Sequence, residues 1–111
     1  MAVQKYNLDN WVETREGVFR KIVYLGHIMT VMFEFRNGPW KEADPFHSHP
    51  HEQICYIAKG EIILYCEGEP DQQLSEGDLF YIASGKKHTI KVLSPMARLI
   101  DNFSPIREDF L

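Results

Sequence analysis

Apolar residues in this chain recur with period two in short runs, and almost nowhere with the period of a helix. Val18 to Leu25, Ile28 to Phe35, Gln53 to Ala58, Ile62 to Cys66, Leu79 to Ile82, Thr89 to Leu93 and Ala97 to Phe103 are rich in Val, Ile, Phe and Tyr. Alternation of this kind fits a pleated strand that buries one face. Turn-forming clusters separate the runs: Gly26-His27, Asn37-Gly38-Pro39, Lys59-Gly60, Gly68-Glu69-Pro70-Asp71, Glu76-Gly77-Asp78, Ser84-Gly85 and Ser94-Pro95. At least seven strands at regular spacing predict an all-β sandwich or barrel. Helix is expected at most as a single turn within the first 15 or so residues. No repeat or low-complexity tract interrupts the pattern.

A length of 111 residues suits one domain, 1–111, and excludes a two-domain enzyme. A chain this short buries only about 60–65% of its extended surface, so a partner copy or a bound metal is expected to add stability. Twelve Lys and Arg stand against sixteen Asp and Glu, with no basic run longer than Lys86-Lys87. Nucleic-acid binding, which needs clustered positive charge, is not expected. No stretch nears the ~20 apolar residues of a membrane span, and no signal peptide is apparent, so a cytoplasmic location is expected. Cys55 and Cys66 lie in apolar strand-like runs and read as two buried free thiols.

Three histidines fall within Asp44-Pro-Phe-His47-Ser-His49-Pro-His51-Glu-Gln53, and a fourth, His88, follows the turn Ser84-Gly85-Lys86-Lys87. In an extended chain His47, His49, His51 and Gln53 share one face, which continues through apolar Cys55 and Ile57. That is the inner face, where an imidazole needs a partner or a metal. Pro50 disturbs the alternation most at His51. Imidazole nitrogens from His47, His49 and His88 with the amide oxygen of Gln53 suit Zn, Fe, Ni, Co or Mn better than Ca or Mg. Four protein ligands leave positions open for water or substrate.

These segments resemble the cupins, small β-barrels whose two short motifs set metal ligands inside the barrel. The first motif reads His47-x-His49, three residues, Gln53, six residues, Gly60. The second reads Gly77-Asp78, then Ala83-x-Gly85, two residues, His88, three residues, Val92. Gln53 stands where the cupin pattern has glutamate, Ala83 where it has proline and Val92 where it has asparagine. The resemblance implies a double-stranded β-helix, or jelly-roll, barrel, with the metal-site barrel over roughly 28–103 and a C-terminal segment, 104–111, near its mouth. A site of three His and one Gln is neutral, so a divalent ion keeps its full charge and attracts an anionic substrate.

The ending Leu99-Ile-Asp-Asn-Phe-Ser-Pro-Ile-Arg-Glu-Asp-Phe-Leu111, with HSHPHEQ and the overall length, resembles the single-domain cupins of the KdgF type. Those proteins open the ring of 4,5-unsaturated monouronates from pectin or alginate, giving linear 5-keto-4-deoxy sugars. The resemblance implies metal ligands at His47, His49, Gln53 and His88, and catalytic residues at Asp101, Phe103 and Arg107. It implies one divalent transition metal (Ni, Zn, Fe, Mn or Co) and a small anionic sugar as substrate. Asp101 sits on a run whose neighbours Leu99 and Phe103 face the same side, and a buried carboxylate there can move protons. Arg107, beyond Pro105, has the fork geometry that grips a carboxylate, although a surface ion pair with Glu108 or Asp109 also accounts for it. Arg36, Lys41, Trp40 and Phe46 flank the first motif as further candidates for substrate contact.

A cupin dioxygenase acting on a small organic substrate, a non-catalytic sugar-binding cupin and a structural barrel with a vestigial site are the alternatives. Small cupins usually pair, so a homodimer with two-fold symmetry is expected, with the segment up to Trp11 and Val12 contributing.

Overall fold

The computed structural model describes residues 3–6 and 10–111. Within them run β1 (Val12–Arg15), β2 (Val18–Tyr24), β3 (Met29–Phe35), β4 (Glu52–Lys59), β5 (Glu61–Cys66), β6 (Gln72–Ser75), β7 (Leu79–Ile82), β8 (His88–Val92) and β9 (Ala97–Ser104). A 3-10 turn, Glu108–Phe110, closes the chain. All seven strands expected from alternation are present, with ends shifted by a residue at most. Two more, β1 and β6, carry no alternation because almost all their residues face solvent. The helical turn expected within the first 15 residues is not found over Val12–Arg15, which is strand. The rest of that expectation lies partly outside the described residues.

The strands form a six-stranded sheet in the order β1-β2-β3-β9-β4-β7 and a three-stranded sheet in the order β6-β5-β8. Every pairing is antiparallel. Inward residues of the two sheets make one main core around Cys55, Ile57, Ile62, Val92, Ala97 and Leu99. A second apolar cluster, Met29, Val31 and Phe103, is backed by Ile22, Ile106 and Phe110, so the C-terminal turn folds onto the barrel. Arg20 fastens that turn by donating from Nη2 to the Phe110 carbonyl at 3.2 Å. Gly60, the last residue of the first motif, turns β4 into β5 at φ +84°, where a Cβ would run into the Met96 carbonyl oxygen. Its side-chain-free, left-handed conformation is therefore what the turn requires.

The outer face of the large sheet is unevenly covered. One cross-strand row reads Val23–Thr30–Asn102–Ile54–Tyr81 and the next Lys21–Met32–Ile100–Tyr56–Leu79. Leu79 and Tyr81 are 62% and 82% exposed. The third row carries buried Glu34, which accepts hydrogen bonds from Arg36 Nε at 2.9 Å, Arg98 Nε at 3.0 Å and the Tyr6 hydroxyl at 3.3 Å. Burial opposes ionisation of Glu34, but the two guanidinium hydrogen bonds outweigh it and hold its pKa below the usual carboxylate value. Removing one partner of such a network leaves the other charges stranded. Glu34→Ala should therefore lower unfolding stability by about 1–3 kcal/mol, measured by denaturant melts at neutral pH, with the deficit narrowing at acid pH as the native carboxylate protonates.

Candidate metal centre and its cavity

The first motif is not one continuous strand. His47 forms an isolated bridge with His88, its N–H donating to the His88 carbonyl at 3.0 Å and its carbonyl accepting from the His88 N–H at 2.9 Å. The chain then bends at Pro50 and His51 before β4 begins at Glu52. The single inward face expected from His47 to Gln53 is therefore broken at His51, as the rigid ring of Pro50 dictates. His47, His49 and His88 nevertheless converge. Each offers a ring nitrogen, and these atoms lie within 4.8 Å of one another. His49 and His88 are buried, and His47 is exposed at the cavity mouth.

Their hydrogen bonds settle which nitrogens are free. His49 Nδ1–H donates to the His51 carbonyl at 2.9 Å, and His88 Nδ1–H donates to the Lys86 carbonyl at 2.8 Å. A carbonyl only accepts, so in the neutral rings Nε2 carries the lone pair. His88 Nε2 is buried with no partner. His49 Nε2 faces Gln53 Oε1 at 3.1 Å, and Gln53 is fixed in that sense because its Nε2 donates to Asp101 Oδ1 at 2.7 Å. Two acceptors thus face each other. Protonating His49 would relieve this, but burial pushes its pKa down, and burial pushes that of His88 down to about 4. A cation between the lone pairs would relieve it instead. Three imidazoles and an amide oxygen, with carbonyls orienting two of the rings, fit a divalent transition metal.

Asp101 lies directly opposite Cys55 across the β4–β9 ladder. Burial pushes its carboxyl up to about 6, against the opposing pull of hydrogen bonds from Cys55 and Gln53 and of the Arg107 charge. Cys55 is fully buried, and burial raises its thiol pKa. Cys66, also a free thiol, is only half-buried, which corrects the expectation of two buried thiols. Phe103 is buried and meets the His49 ring edge-on, centroids 5.6 Å apart.

A cavity of about 230 Å³ joins these groups. His47, Gln53, His88, Asp101, Phe103 and Arg107 all line it. Arg107 is 15% exposed, lies over the Phe110 ring at 4.0 Å, and donates from Nη2 to Asp109 Oδ2 at 2.8 Å. The ion pair with Asp109 is therefore present, and the same side chain also lines the cavity. Its Nη1 makes no hydrogen bond among the described residues.

Some sequence candidates are not brought to the site. Arg36 pairs with Glu34 and lies over Phe19 at 4.0 Å, on the outside of the sheet. Lys41 and Phe46 are exposed and do not line the cavity. Trp40 packs edge-on against Phe35 and also stays off the lining. Sequence reasoning missed Arg15, Asp44 and Phe110, which do line it. Asp44, three residues before His47, had a positional signal. Arg15 had none, because nothing in VETR marks a strand.

A cupin domain model matches residues 36–100, more than half of the chain. The chain is a cupin. Along its full length this cupin is 33% identical to the pectin degradation protein KdgF of Dickeya dadantii (strain 3937), covering 98% of this chain and all of the relative. The structure of KdgF from Halomonas sp. superposes with a TM-score of 0.81 at 34% identity, covering 92% of this chain and 93% of the other. An RmlC-like cupin from Shewanella frigidimarina gives 0.80 at 26% identity over 98% and 97%. The double-stranded β-helix barrel expected from the two motifs is therefore the fold, and the chain is a small single-domain cupin of the KdgF kind.

Proposed function

We propose that this cupin opens the ring of 4,5-unsaturated monouronates derived from pectin or alginate, giving linear 5-keto-4-deoxyuronates, with His47, His49, His88 and Gln53 holding one divalent transition metal (Ni, Zn, Fe, Mn or Co). The observation that carries this is the meeting of a buried carboxylate, Asp101, with His47, His88, Gln53, Phe103 and Arg107 around one cavity. Similarity to KdgF proteins over nearly the whole chain supports the same substrate class.

In the substrate, C5 carries both the ring oxygen and the carboxylate, and the C4–C5 bond is double. Arg107 grips the carboxylate through the donors it does not give to Asp109. Asp101 takes the proton of the C1 hydroxyl as the bond from C1 to the ring oxygen breaks, leaving an aldehyde at C1 and an enolate at C5. The same carboxyl returns that proton to C4, and the enolate becomes the C5 ketone. Atoms and electrons balance as an isomerisation, with no oxidant. A carboxyl pushed up to about 6 by burial suits both taking and returning that proton. Phe103 walls the reacting carbons from water. A bound divalent cation supplies Lewis-acid stabilisation of an oxygen that gains charge. Turnover in deuterium oxide tests this: the product should carry one deuterium at C4 beside a C5 ketone, with no oxygen uptake. Oxygen consumption in proportion to substrate would contradict it.

The chain is further proposed to act as a homodimer in the cytoplasm. The exposed residues Ile54 and Tyr81 of one row and Tyr56 and Leu79 of the next form the face that a second copy would cover, since contiguous apolar surface of this kind favours association. Among the described residues no helix is long and apolar enough to cross a membrane. Tyr81→Asp should turn a dimeric sedimentation profile monomeric. A profile unchanged by Tyr81→Asp and Ile54→Asp together would remove this face from the assembly.

A further inference from the structure

Strand β1 buries none of its own side chains. All four of its residues are exposed, and it pairs only with β2, through three residue pairs with a register shift between Glu13 and Arg15. Arg15 ties the strand to the segment before His47: its Nη1 and Nη2 donate to Asp44 Oδ1 and Oδ2 at 3.0 and 2.6 Å. Asp44 is itself held in register with the metal cluster. Its carbonyl accepts from the buried Thr89 hydroxyl at 2.8 Å, next to His88, and it lies three residues before His47. The Arg15 guanidinium also lies over the Trp40 ring at 5.2 Å, while Trp40 Nε1 donates to Asn37. Arg15 and Asp44 line the same cavity as Gln53, Asp101 and Arg107, yet the ring-opening steps use neither.

We propose that Arg15, locked to Asp44, is a specificity-determining residue that contacts the hydroxyl groups of the sugar acid, as a second recognition point beside Arg107. The fork spends two of the five guanidinium N–H groups on Asp44 and leaves the others to donate, while the carboxylate oxygens keep lone pairs that accept. The pair is net neutral. It therefore reads hydroxyls, which both donate and accept, rather than a second negative charge. Arg107 reads the carboxylate. The Arg15 and Asp44 side chains are 50% and 37% exposed, so sugar hydroxyls that replace their water favour a sugar acid modestly over an acid that lacks hydroxyls. This division rests on the proposed substrate class for the identity of the sugar acid, and on nothing in the ring-opening chemistry.

The test uses metal-loaded protein and two unreactive carboxylates, galacturonate and cyclohexanecarboxylate, with affinities measured by calorimetry. Arg15→Met should weaken galacturonate by about tenfold and cyclohexanecarboxylate by less than about twofold, with metal content unchanged. Arg15→Lys, which keeps the charge but cannot form the fork, should behave like Arg15→Met. Asp44→Asn gives an independent variant with the same expected selectivity. Equal weakening of both ligands, or weakening of neither, overturns the proposal, as does wild-type protein that does not bind galacturonate. Absence of ring opening in the parent protein, alongside selective weakening of galacturonate in the variants, would remove the reaction and leave Arg15 as the hydroxyl-reading residue.

Discussion

Asp101→Asn should abolish turnover of the unsaturated monouronate, by about a thousandfold or more, while the protein keeps its full complement of metal. The amide matches the carboxylate in shape and can still accept from Gln53 Nε2, now 2.7 Å from Oδ1, so the cluster of His47, His49 and His88 is undisturbed. It cannot carry a proton. The same change should stabilise the metal-free protein. Burial raises the Asp101 pKa from its ordinary 3.8 to about 6 in the folded chain, so folding favours the protonated form. Its contribution is therefore intact below pH 3.8 and is lost as the pH rises through about 6. Asp101→Asn should melt with the parent at low pH and above it at pH 8, by up to about 3 kcal/mol. Metal analysis, rate and melting curves at two pH values check all three. Retained turnover in Asp101→Asn would take Asp101 out of the reaction.

Gln53→Glu would restore the residue the wider cupin motif carries, and it should cost about a hundredfold in rate at neutral pH. Gln53 is the pivot of the site: Oε1 faces His49 Nε2, and Nε2 donates to Asp101. A glutamate keeps an oxygen for the metal but replaces the donor with an acceptor. Two carboxylates would then meet at hydrogen-bond distance and share one proton, displacing Asp101 from the pH range where it exchanges protons. Metal should be held more tightly, because the ligand is anionic. A pH–rate profile and the rate of metal loss to a chelator separate the two effects. Unchanged rate and unchanged profile would show that position 53 needs no donor.

These two substitutions mark where sequence reasoning reaches and where it stops. The strands from Val18 to Phe103 were legible because their inward residues must be apolar and their outward ones need not be. The convergence of His47, His49 and His88 was legible because a motif fixes their spacing in a barrel. The reason for glutamine at position 53 was not, since it depends on the ladder that sets β4 beside β9, with Gln53 opposite Phe103 and Cys55 opposite Asp101. Neither was Arg15. A strand with all four side chains in solvent has no hydrophobic pattern to read, and β6, reading QQLS, was missed for the same reason. The exposed rows on the large sheet were equally hidden. Alternation says that Ile54 and Tyr56 share a face, while only the pairing with β7 brings Tyr81 and Leu79 beside them. The C-terminal ending announced Arg107, but its seat against Phe110 arises from a turn that no period reveals.

The most direct measurement follows the ultraviolet band of the C4–C5 alkene conjugated to the carboxylate. Freshly prepared unsaturated monouronate is mixed with metal-loaded protein, with chelator-stripped protein and with His49→Ala, and oxygen is monitored in parallel. The band should vanish fastest with the metal-loaded protein, fall back to the protein-free rate in the other two, and do so without oxygen uptake. Loss of the band at the protein-free rate with each of the common divalent metals in place would contradict ring opening as the function of this site.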